Sequence, residues 1–190
     1  MKAIILAAGK ETRLGKYTKD LPKGMLNFIG KTLIERQVEI LNECGIKEII
    51  VTGYMANKIQ IKGVKYYHNS DFENTNMVST LFCAEKEMDN EILVCYSDII
   101  YEKKVIEKIL KSDYDIGVTV DEDYLDYWKS RLEDWQDDLE SLQIKEDCIV
   151  ELGTKIMDPE KTKYRYVGLI KFSKKGVRIL KKIFNDNKIR

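Results

Sequence analysis

The sequence lacks several features that mark well-known classes of protein. Its 32 basic and 32 acidic side chains leave no net charge at pH 7, so no overall field attracts nucleic acid or an anionic membrane surface. Its four cysteines form no Cys-x-x-Cys pair, and the single histidine, His68, is not next to any of them. This pattern argues against a zinc site and a disulfide framework. We therefore expect no nucleic-acid or membrane partner, and a reducing cytoplasm suits the cysteines.

Long apolar segments are missing as well. The run from Ala3 to Ala8 has six apolar residues, fewer than the roughly 7–15 of a signal peptide's apolar region. No other run approaches the roughly 18 residues of a membrane helix. A length of 190 residues with 44% hydrophobic and 34% charged content is ordinary for one folded domain. The sequence therefore predicts a single cytoplasmic domain over 1–190.

Short apolar runs alternate with amphipathic segments along the chain, which is typical of α/β proteins. Thr32 and Glu35 form a capping box, and apolar residues at helical spacing follow as far as Gly45. Further helices are predicted at 78–88, 105–110 and 177–184. Strands are predicted at 3–8, 48–52, 64–67, 92–96, 116–120 and 165–172, with a hairpin over 143–152. The predicted fold is a Rossmann-like, mixed but mostly parallel sheet with helices on both faces.

Positive charge collects after the first predicted strand. Six basic residues lie between Lys2 and Lys23, against two acidic residues. A loop that leaves the carboxyl end of a parallel strand lies where open α/β sheets bind ligands. Glycine in such a loop lets backbone amides approach phosphate oxygens. The segment therefore indicates a polyphosphate site.

Two familiar phosphate motifs do not fit this loop. A P-loop has four residues between its glycines and then Lys-Ser/Thr, whereas five residues separate Gly9 from Gly15, and Tyr17 follows Lys16. The dinucleotide motif Gly-x-Gly-x-x-Gly fails because Glu11 and Leu14 replace its second and third glycines. A P-loop kinase and a classical dehydrogenase are thus disfavoured.

The pattern that does fit is Leu6-Ala-Ala-Gly-Lys-Glu-Thr-Arg13 followed by Pro22-Lys23. It resembles the opening of the nucleotidyltransferases that activate sugars and alcohols, in which Leu-Ala-Ala-Gly-x-Gly-x-Arg-Leu precedes Pro-Lys. The segments Gly30 to Glu35, Gly45 to Ile50 and Tyr96-Ser-Asp98 match the same family. The resemblance implies the nucleotide-diphospho-sugar transferase type of fold, with a nucleoside triphosphate and a phosphorylated small molecule as substrates.

Three later stretches narrow the resemblance. They are similar to the small cytidylyltransferases that act on phosphocholine, phosphonates or phosphoglutamine, and comprise Asn74 to Ser79, Tyr127 to Arg131, and Glu151-Leu-Gly ahead of Tyr166 to Phe172. This likeness implies Mg²⁺-dependent transfer of CMP from CTP to a small phosphorylated acceptor, with release of pyrophosphate. It also suggests a role in capsule or cell-surface polysaccharide modification. The acceptor and the oligomeric state stay open, with a homodimer as one candidate.

The resemblance and the chemistry together give candidate nucleotide residues. Arg13 and Lys23 are the candidates for catalysis, because the transition state gathers negative charge on phosphoryl oxygens and on departing pyrophosphate. Asn76 and Ser79 are candidates for reading a pyrimidine base by hydrogen bonds, although Asn76 is equally placed to cap a helix. The opening motif adds three nucleotide-binding candidates, Leu6, Ala8 and Gly9.

A metal ligand is predicted at the end of the strand 92–96. Asp98 follows that strand, where a carboxylate can hold Mg²⁺ between the triphosphate and the attacking oxygen. A turn or helix-capping aspartate is the alternative. A second ligand is left open among Asp121, Asp123, Glu151 and Asp158.

Acceptor binding is predicted further along the chain. Trp128, Lys129 and Arg131 combine an aromatic face with two cations suited to phosphate, and the resemblance adds Glu151 and Lys155, with Lys171 as a weaker candidate. The alternatives are a packed tryptophan and a solvated, charged helix. An aromatic cage for a quaternary ammonium is a further possibility, built from Tyr124, Tyr127, Trp128 and Trp135.

Two rival functions remain at this point. A sugar-1-phosphate nucleotidyltransferase using UTP or dTTP would share Arg13, Lys23 and Asp98, but would need a larger acceptor pocket. A non-catalytic nucleotide-binding regulatory domain is the rival of a different class. It is favoured by Glu11, which stands where the family has its second loop glycine.

Overall fold

The computed structural model describes residues 1–8, 21–55, 58–131, 139–156, 158 and 162–188. Contacts divide the chain into two compact units, one formed by Met1–Gly117 with Gly168–Arg190 and the other by Val118–Val167. The single domain over 1–190 stays a prediction. None of the helices in these described ranges is long and apolar enough to cross a membrane.

The described residues form ten strands and five α-helices. The strands are β1 Lys2–Ala7, β2 Asn27–Phe28, β3 Lys31–Thr32, β4 Glu48–Gly53, β5 Val64–His68, β6 Ile92–Tyr96, β7 Ile116–Asp121, β8 Glu140–Lys145, β9 Cys148–Lys155 and β10 Arg165–Phe172. The helices are α1 Leu33–Glu43, α2 Met77–Phe82, α3 Lys103–Leu110, α4 Tyr124–Arg131 and α5 Lys174–Lys188.

Six strands pair in the order β5-β4-β1-β6-β10-β7. Strands β1, β4, β5 and β6 run parallel, whereas β10 runs antiparallel to β6. Because β1, β4 and β6 are continuous apolar runs, they are buried on both faces, as parallel strands usually are. The predicted mixed, mostly parallel sheet is confirmed.

Helices cover both faces of this sheet. Alternate residues of a strand point to opposite faces, and β1 follows the rule. Ile5 packs in one apolar cluster with α1 and α3, and Ile4 packs in a second cluster with α2 and α5. The sheet is thus enclosed between two helical layers, as the sequence predicted.

Helix α1 begins and ends at the predicted signals. Thr32 Oγ1 accepts a hydrogen bond from Glu35 N, and the Glu35 carboxylate accepts one from Thr32 N. The bond from Thr32 N, followed by one that Thr32 Oγ1 donates to the same carboxylate, holds the pKa of Glu35 below its usual value. At the other end Gly45 has a φ of 84°, a conformation that glycine adopts at little cost. The capping box fixes the start of a helix that supports the site described below.

The predicted hairpin in the second unit is also confirmed. Strands β8 and β9 pair antiparallel across Glu146 and Asp147, whose φ values are 50° and 59°. Two consecutive residues with positive φ make the tight turn that matches the twist of paired strands.

The helix predicted at 78–88 is wrong in its extent. Helix α2 ends at Phe82, and Glu85–Glu87 forms a separate 3₁₀ turn. The turn brings the Glu87 carboxylate to Lys2 and Lys65 near the amino ends of β1 and β5. Long-range ion pairs and hydrogen bonds here override the local helical pattern.

Glu87 is the centre of a partly buried charge cluster. Its carboxylate accepts hydrogen bonds from Tyr67 Oη at 2.8 Å, from Lys65 Nζ at 3.1 Å and from Lys2 Nζ at 3.2 Å. Lys2 also donates to Asp89 at 3.1 Å. The bond from Tyr67, followed by those from the two lysines, lowers the pKa of Glu87 to about 2.

We expect Glu87→Gln to destabilise the fold in a pH-dependent manner. A carboxyl group whose pKa is lowered by folding stabilises the native state above its ordinary pKa of 4.5, and this stabilisation is lost as the pH falls towards about 2. Urea unfolding at pH 7 should show a loss of about 1–3 kcal/mol, and the difference from wild type should shrink at pH 3. Glu39→Gln is the control, because the Glu39–Lys31 pair is half exposed and should contribute at most about 1 kcal/mol. A Glu87→Gln loss that stays constant from pH 7 to pH 3 would contradict the argument.

Candidate functional site

A cavity of about 600 Å³ opens at the carboxyl ends of β1 and β6. This is the edge at which open α/β sheets bind ligands. The cavity lies entirely within the first unit. Its lining residues are Leu6, Ala8, Lys23, Phe72, Glu73, Thr75, Asn76, Met77, Thr80, Tyr96, Ser97 and Asp98.

A tightly packed turn delivers Lys23 to this cavity. The 3₁₀ turn Lys23–Met25 follows Pro22 and is closed by a hydrogen bond of 2.9 Å from Met25 N to Pro22 O. Gly24 is buried, and a Cβ added to it would lie 2.6 Å from Ile34 Cδ1 and 2.8 Å from Ser97 Cβ. Glycine therefore allows the turn to approach both α1 and the end of β6. This contact fixes where the Lys23 side chain begins.

Lys23 and Asp98 lie next to each other on the cavity wall. Lys23 Nζ is 3.4 Å from Asp98 Oδ2, and the two side chains are 24% and 40% exposed. An ion pair that is this long and this accessible is only weakly stabilising, because water screens it. Both groups therefore remain able to exchange partners with a charged ligand.

A buried amide organises the segment between β5 and α2, which forms another part of the cavity wall. Asn69 Nδ2 donates to Thr75 Oγ1 at 3.0 Å and to Thr80 Oγ1 at 2.9 Å. The Thr80 backbone oxygen accepts from Thr52 Oγ1 at 2.6 Å. These bonds tie the loop between β5 and α2 to β4, so the wall is set by the sheet.

Asn76 caps α2. Its Oδ1 accepts hydrogen bonds from Val78 N at 3.0 Å and from Ser79 N at 3.1 Å, which confirms the capping alternative. The amide N–H₂ is not used in these bonds, and Asn76 also lines the cavity. Ser79 is not a lining residue, whereas its neighbour Thr80 is.

The structure brings most of the predicted nucleotide residues together. Four nucleotide candidates line the one cavity together with the metal candidate Asp98, namely Leu6, Ala8, Lys23 and Asn76. Gly9 and Arg13 lie outside the described residues, as does Glu11. The roles of all these residues stay predictions, although the predicted nucleotidyl transfer needs them in one place.

Several lining residues were missed by the sequence reasoning. Tyr96 lies inside a stretch that carried the family resemblance, and Thr80 directly follows another. Those two stretches therefore offered a signal for them. Phe72 and Glu73 belong to a loop with no pattern of its own. The Phe72 ring stacks on Tyr54 with the ring centroids 4.3 Å apart, a contact that only the folded chain creates.

Trp128 lies among aromatic rings in the second unit. Its ring meets Tyr124 and Tyr127 edge-on, with centroid separations of 6.2 Å and 5.7 Å. The guanidinium carbon of Arg165 is 5.0 Å from the Trp128 ring centroid, which is within cation–π range. Arg165 could not be placed here from the sequence, because it belongs to a distant strand. Trp135, the fourth member of the predicted cage, lies outside the described residues.

The other acceptor candidates are also in the second unit. Glu151 lies in β9 and accepts a hydrogen bond of 2.8 Å from Gln143 Nε2. Lys129 and Lys155 are exposed on α4 and β9, and Arg131 is the last residue of α4. Their acceptor roles stay predictions.

Lys171 has a structural role in the first unit. Its buried Nζ donates to Leu110 O at 3.0 Å and to Ser112 O at 2.5 Å. It thereby satisfies carbonyl groups at the end of α3, which argues against the weaker suggestion that it binds the acceptor.

The family of the chain is shown by comparison with known proteins. Residues 3–147 match the model of the MobA-like NTP transferase domain. The chain belongs to this family. It is accordingly a nucleotidyltransferase, and the resemblance noted in the sequence is confirmed.

Named relatives of this NTP transferase include two cytidylyltransferases. The CTP:phosphoglutamine cytidylyltransferase of Campylobacter jejuni is 34% identical over 187 residues, which are 91% of this chain and 73% of the relative. The choline-phosphate cytidylyltransferase of Streptococcus pneumoniae is 32% identical over 119 residues, covering 60% of this chain and 52% of the relative. The solved inositol-1-phosphate CTP transferase from T. maritima superposes with a TM-score of 0.71 at 19% identity, covering 94% of this chain and 72% of that one. The last comparison shows a shared fold.

The family implies a divalent metal, and the cavity of this NTP transferase fits one held jointly with substrate. Mg²⁺ is usually bound by one or two carboxylates together with phosphate oxygens and water. The cavity offers the carboxylates of Asp98 and Glu73, and the described residues contain no cluster of three or more metal-ligating side chains. The donor set suits a metal that arrives with a nucleotide. The earlier second-ligand candidates, Asp121, Asp123, Glu151 and Asp158, all belong to the second unit.

Proposed function

We propose that the chain transfers CMP from CTP to a small phosphorylated acceptor and releases pyrophosphate. The observation that carries the proposal is the cavity at the ends of β1 and β6, where Lys23 Nζ lies 3.4 Å from Asp98 Oδ2. A triphosphate with its metal brings both negative and positive charge to a site. A cation and a carboxylate side by side complement that pair of charges.

The reaction proceeds by direct displacement. An oxygen of the acceptor phosphate attacks the α-phosphorus of CTP in line, the bond from that phosphorus to the bridging oxygen breaks, and pyrophosphate leaves from the opposite side. The attacking oxygen is already anionic at pH 7, so no general base is required. Catalysis then consists of positioning and charge neutralisation, with Lys23 and Arg13 as the cations that stabilise charge on the phosphoryl oxygens.

Asp98 is the proposed Mg²⁺ ligand, and Glu73 is a second carboxylate that lines the same cavity. The metal supplies charge neutralisation at the phosphates and a template for their orientation. Lys23, at 3.4 Å from Asp98, exchanges that carboxylate for a phosphate oxygen when the nucleotide binds. The ion pair therefore keeps both side chains near their working positions before substrate arrives.

The proposal of CTP rests on the named relatives and on Asn76. Both relatives described above carry cytidylyltransferase in their names. Because Asn76 Oδ1 is engaged in capping α2, its amide offers the base hydrogen-bond donors. Cytosine N3 accepts a hydrogen bond, whereas uracil N3 carries a proton, so a donor at this point of the base edge favours cytosine.

The acceptor we propose is a phosphoglutamine-like or phosphonate-like compound rather than phosphocholine. A quaternary ammonium is recognised on open aromatic faces. The protein's own Arg165 already stands 5.0 Å from the Trp128 ring centroid, and Tyr124 and Tyr127 meet the same ring edge-on. The cytoplasmic location, the role in capsule or cell-surface polysaccharide modification and the homodimer stay predictions.

Pyrophosphate release from defined substrate pairs tests the proposal. The purified chain with Mg²⁺ is given CTP, UTP, dTTP, ATP or GTP, each with phosphoglutamine, 2-aminoethylphosphonate, phosphocholine or glucose 1-phosphate. We expect turnover with CTP and the amide phosphate or the phosphonate, and slower turnover with phosphocholine. Chromatography of the CMP-linked product identifies the bond that formed.

Each rival function has its own outcome in the same assay. Turnover restricted to glucose 1-phosphate with UTP or dTTP would identify a sugar-1-phosphate nucleotidyltransferase. Nucleotide binding by calorimetry without release of pyrophosphate from any pair would identify a regulatory domain. Phosphocholine as the best acceptor would overturn the argument from Arg165 and leave the transfer of CMP intact.

A further inference from the structure

A buried glutamine holds the turn that carries Asp98. Gln37 lies in α1 and is 1% exposed. Its Nε2 donates to Tyr96 O at 2.8 Å and to Ile99 O at 2.7 Å. These two carbonyl groups lie on either side of Ser97 and Asp98, so one amide group spans the turn. Because carbonyl oxygens can only accept, the orientation of the amide is fixed by its partners.

The polar side chain at this position also carries a cost. Gln37 Oε1 is buried and has no hydrogen-bond partner among the described residues. Leaving such a group unsatisfied costs about 1–3 kcal/mol. The next helical turn back on the same face has Ile34, which is fully buried in the apolar cluster. An apolar residue at 37 would avoid this cost but would take the donor away from the Tyr96 and Ile99 carbonyl groups. The amide is therefore explained by the turn that its donors hold.

Helix α1 supports the segments that carry two charged residues of the cavity, Lys23 and Asp98, through neighbouring positions. Residues three apart lie on one face of a helix. Ile34 packs so closely on Gly24, beside Lys23, that a Cβ there would lie 2.6 Å from Ile34 Cδ1. Gln37 binds the two carbonyl groups that flank the Asp98 turn. One face of α1 therefore positions the backbone of both segments, whose side chains Lys23 and Asp98 lie 3.4 Å apart.

We infer that Gln37 is a positioning residue that aims the Asp98 carboxylate at the metal and triphosphate site. The inference rests on the proposed function. Gln37 itself does not line the cavity. Loss of the Gln37 amide should leave the Asp98 carboxylate present but less well directed. Residues that orient a metal ligand typically contribute 10–100-fold to metal affinity or activity.

Gln37→Met tests this, because methionine fills a similar volume without either donor. We expect the Mg²⁺ concentration for half-maximal activity to rise about 10–100-fold. Calorimetry with CTP gives the second readout: Mg²⁺ should strengthen CTP binding less in the variant, while binding without metal should stay as in wild type. Amide hydrogen exchange in residues 96–99 should become faster. Gln37→Leu, which also lacks both donors and introduces no charge, should show the same changes.

Val38→Ala is the matched control. Val38 is the next residue of α1, is 8% exposed and belongs to the apolar cluster, so its truncation lowers Tm. A purely structural role for Gln37 predicts that all three variants lose activity in proportion to Tm, with an unchanged Mg²⁺ response. That result would overturn the inference. The wild-type chain separates this failure from failure of the proposed function, because absence of Mg²⁺-dependent CTP binding in wild type would count against the function itself.

Discussion

Replacing Lys23 with alanine should lower kcat for pyrophosphate release by about 10²–10³-fold, the range seen when one preorganised group that stabilises developing charge is removed. The transition state places extra negative charge on the phosphoryl oxygens and on the departing pyrophosphate. Lys23 is the described cavity cation closest to Asp98, at 3.4 Å. CTP binding should also weaken, whether or not Mg²⁺ is present, because the attraction of an ammonium for phosphate does not depend on the metal.

Two further variants make this expectation specific. Lys31→Ala removes a lysine paired with Glu39 at 2.6 Å outside the cavity, and should leave kcat within about twofold of wild type because exposed ion pairs contribute little. Lys23→Arg retains the positive charge but arranges its hydrogen-bond donors differently. Its turnover should therefore lie between those of Lys23→Ala and wild type. Steady-state kinetics with CTP and the best acceptor measure all three variants. Unchanged kinetics in Lys23→Ala would remove this residue from the site.

The sheet could be predicted because its parallel strands carry their own signal. Strands β1, β4 and β6 are short apolar runs, and burial on both faces requires that composition. Helix α1 could be predicted equally well, since Thr32, Glu35 and Gly45 mark its ends. The extent of α2 could not be predicted, because Glu87 belongs to a charge cluster whose lysines are far away in sequence. Local periodicity carries no information about such partners.

The candidate site was predictable where one short segment carries both the residue and its position. Lys23 follows Pro22 in a motif, and Asp98 directly follows a buried strand. Gln37 escaped notice because a glutamine inside an amphipathic helix looks like a surface residue, and its partners are two backbone oxygens that the sequence cannot place. Arg165 escaped for a related reason: its contact with Trp128 joins residues from β10 and α4.

Substituting Asp98 with asparagine should distinguish an effect on metal binding from an effect on phosphate binding. Asparagine keeps the size of the side chain and one acceptor oxygen, but loses the charge that Mg²⁺ prefers. We expect kcat to fall by at least about 10²-fold, since a metal at a phosphoryl site contributes several kcal/mol. The Mg²⁺ concentration for half-maximal activity should rise as well.

The effect on CTP binding should have the opposite sign to that of Lys23→Ala when the metal is removed. Without Mg²⁺ the Asp98 carboxylate repels the triphosphate, and it also neutralises Lys23 at 3.4 Å. Removing its charge should therefore strengthen metal-free CTP binding. With Mg²⁺, binding should be weaker than in wild type. Calorimetry with and without the metal measures both quantities.

An exposed aspartate in the loop after α3, Asp113, provides the matched control, and Asp113→Asn should alter neither quantity. If Asp98 served only as a turn residue, Asp98→Asn would lower Tm while the Mg²⁺ response stayed as in wild type. The two single variants, read together, distinguish a cation that binds phosphate directly from a carboxylate that binds it through a metal. A charge pair kept merely for stability would make both variants less stable and would change CTP binding in neither.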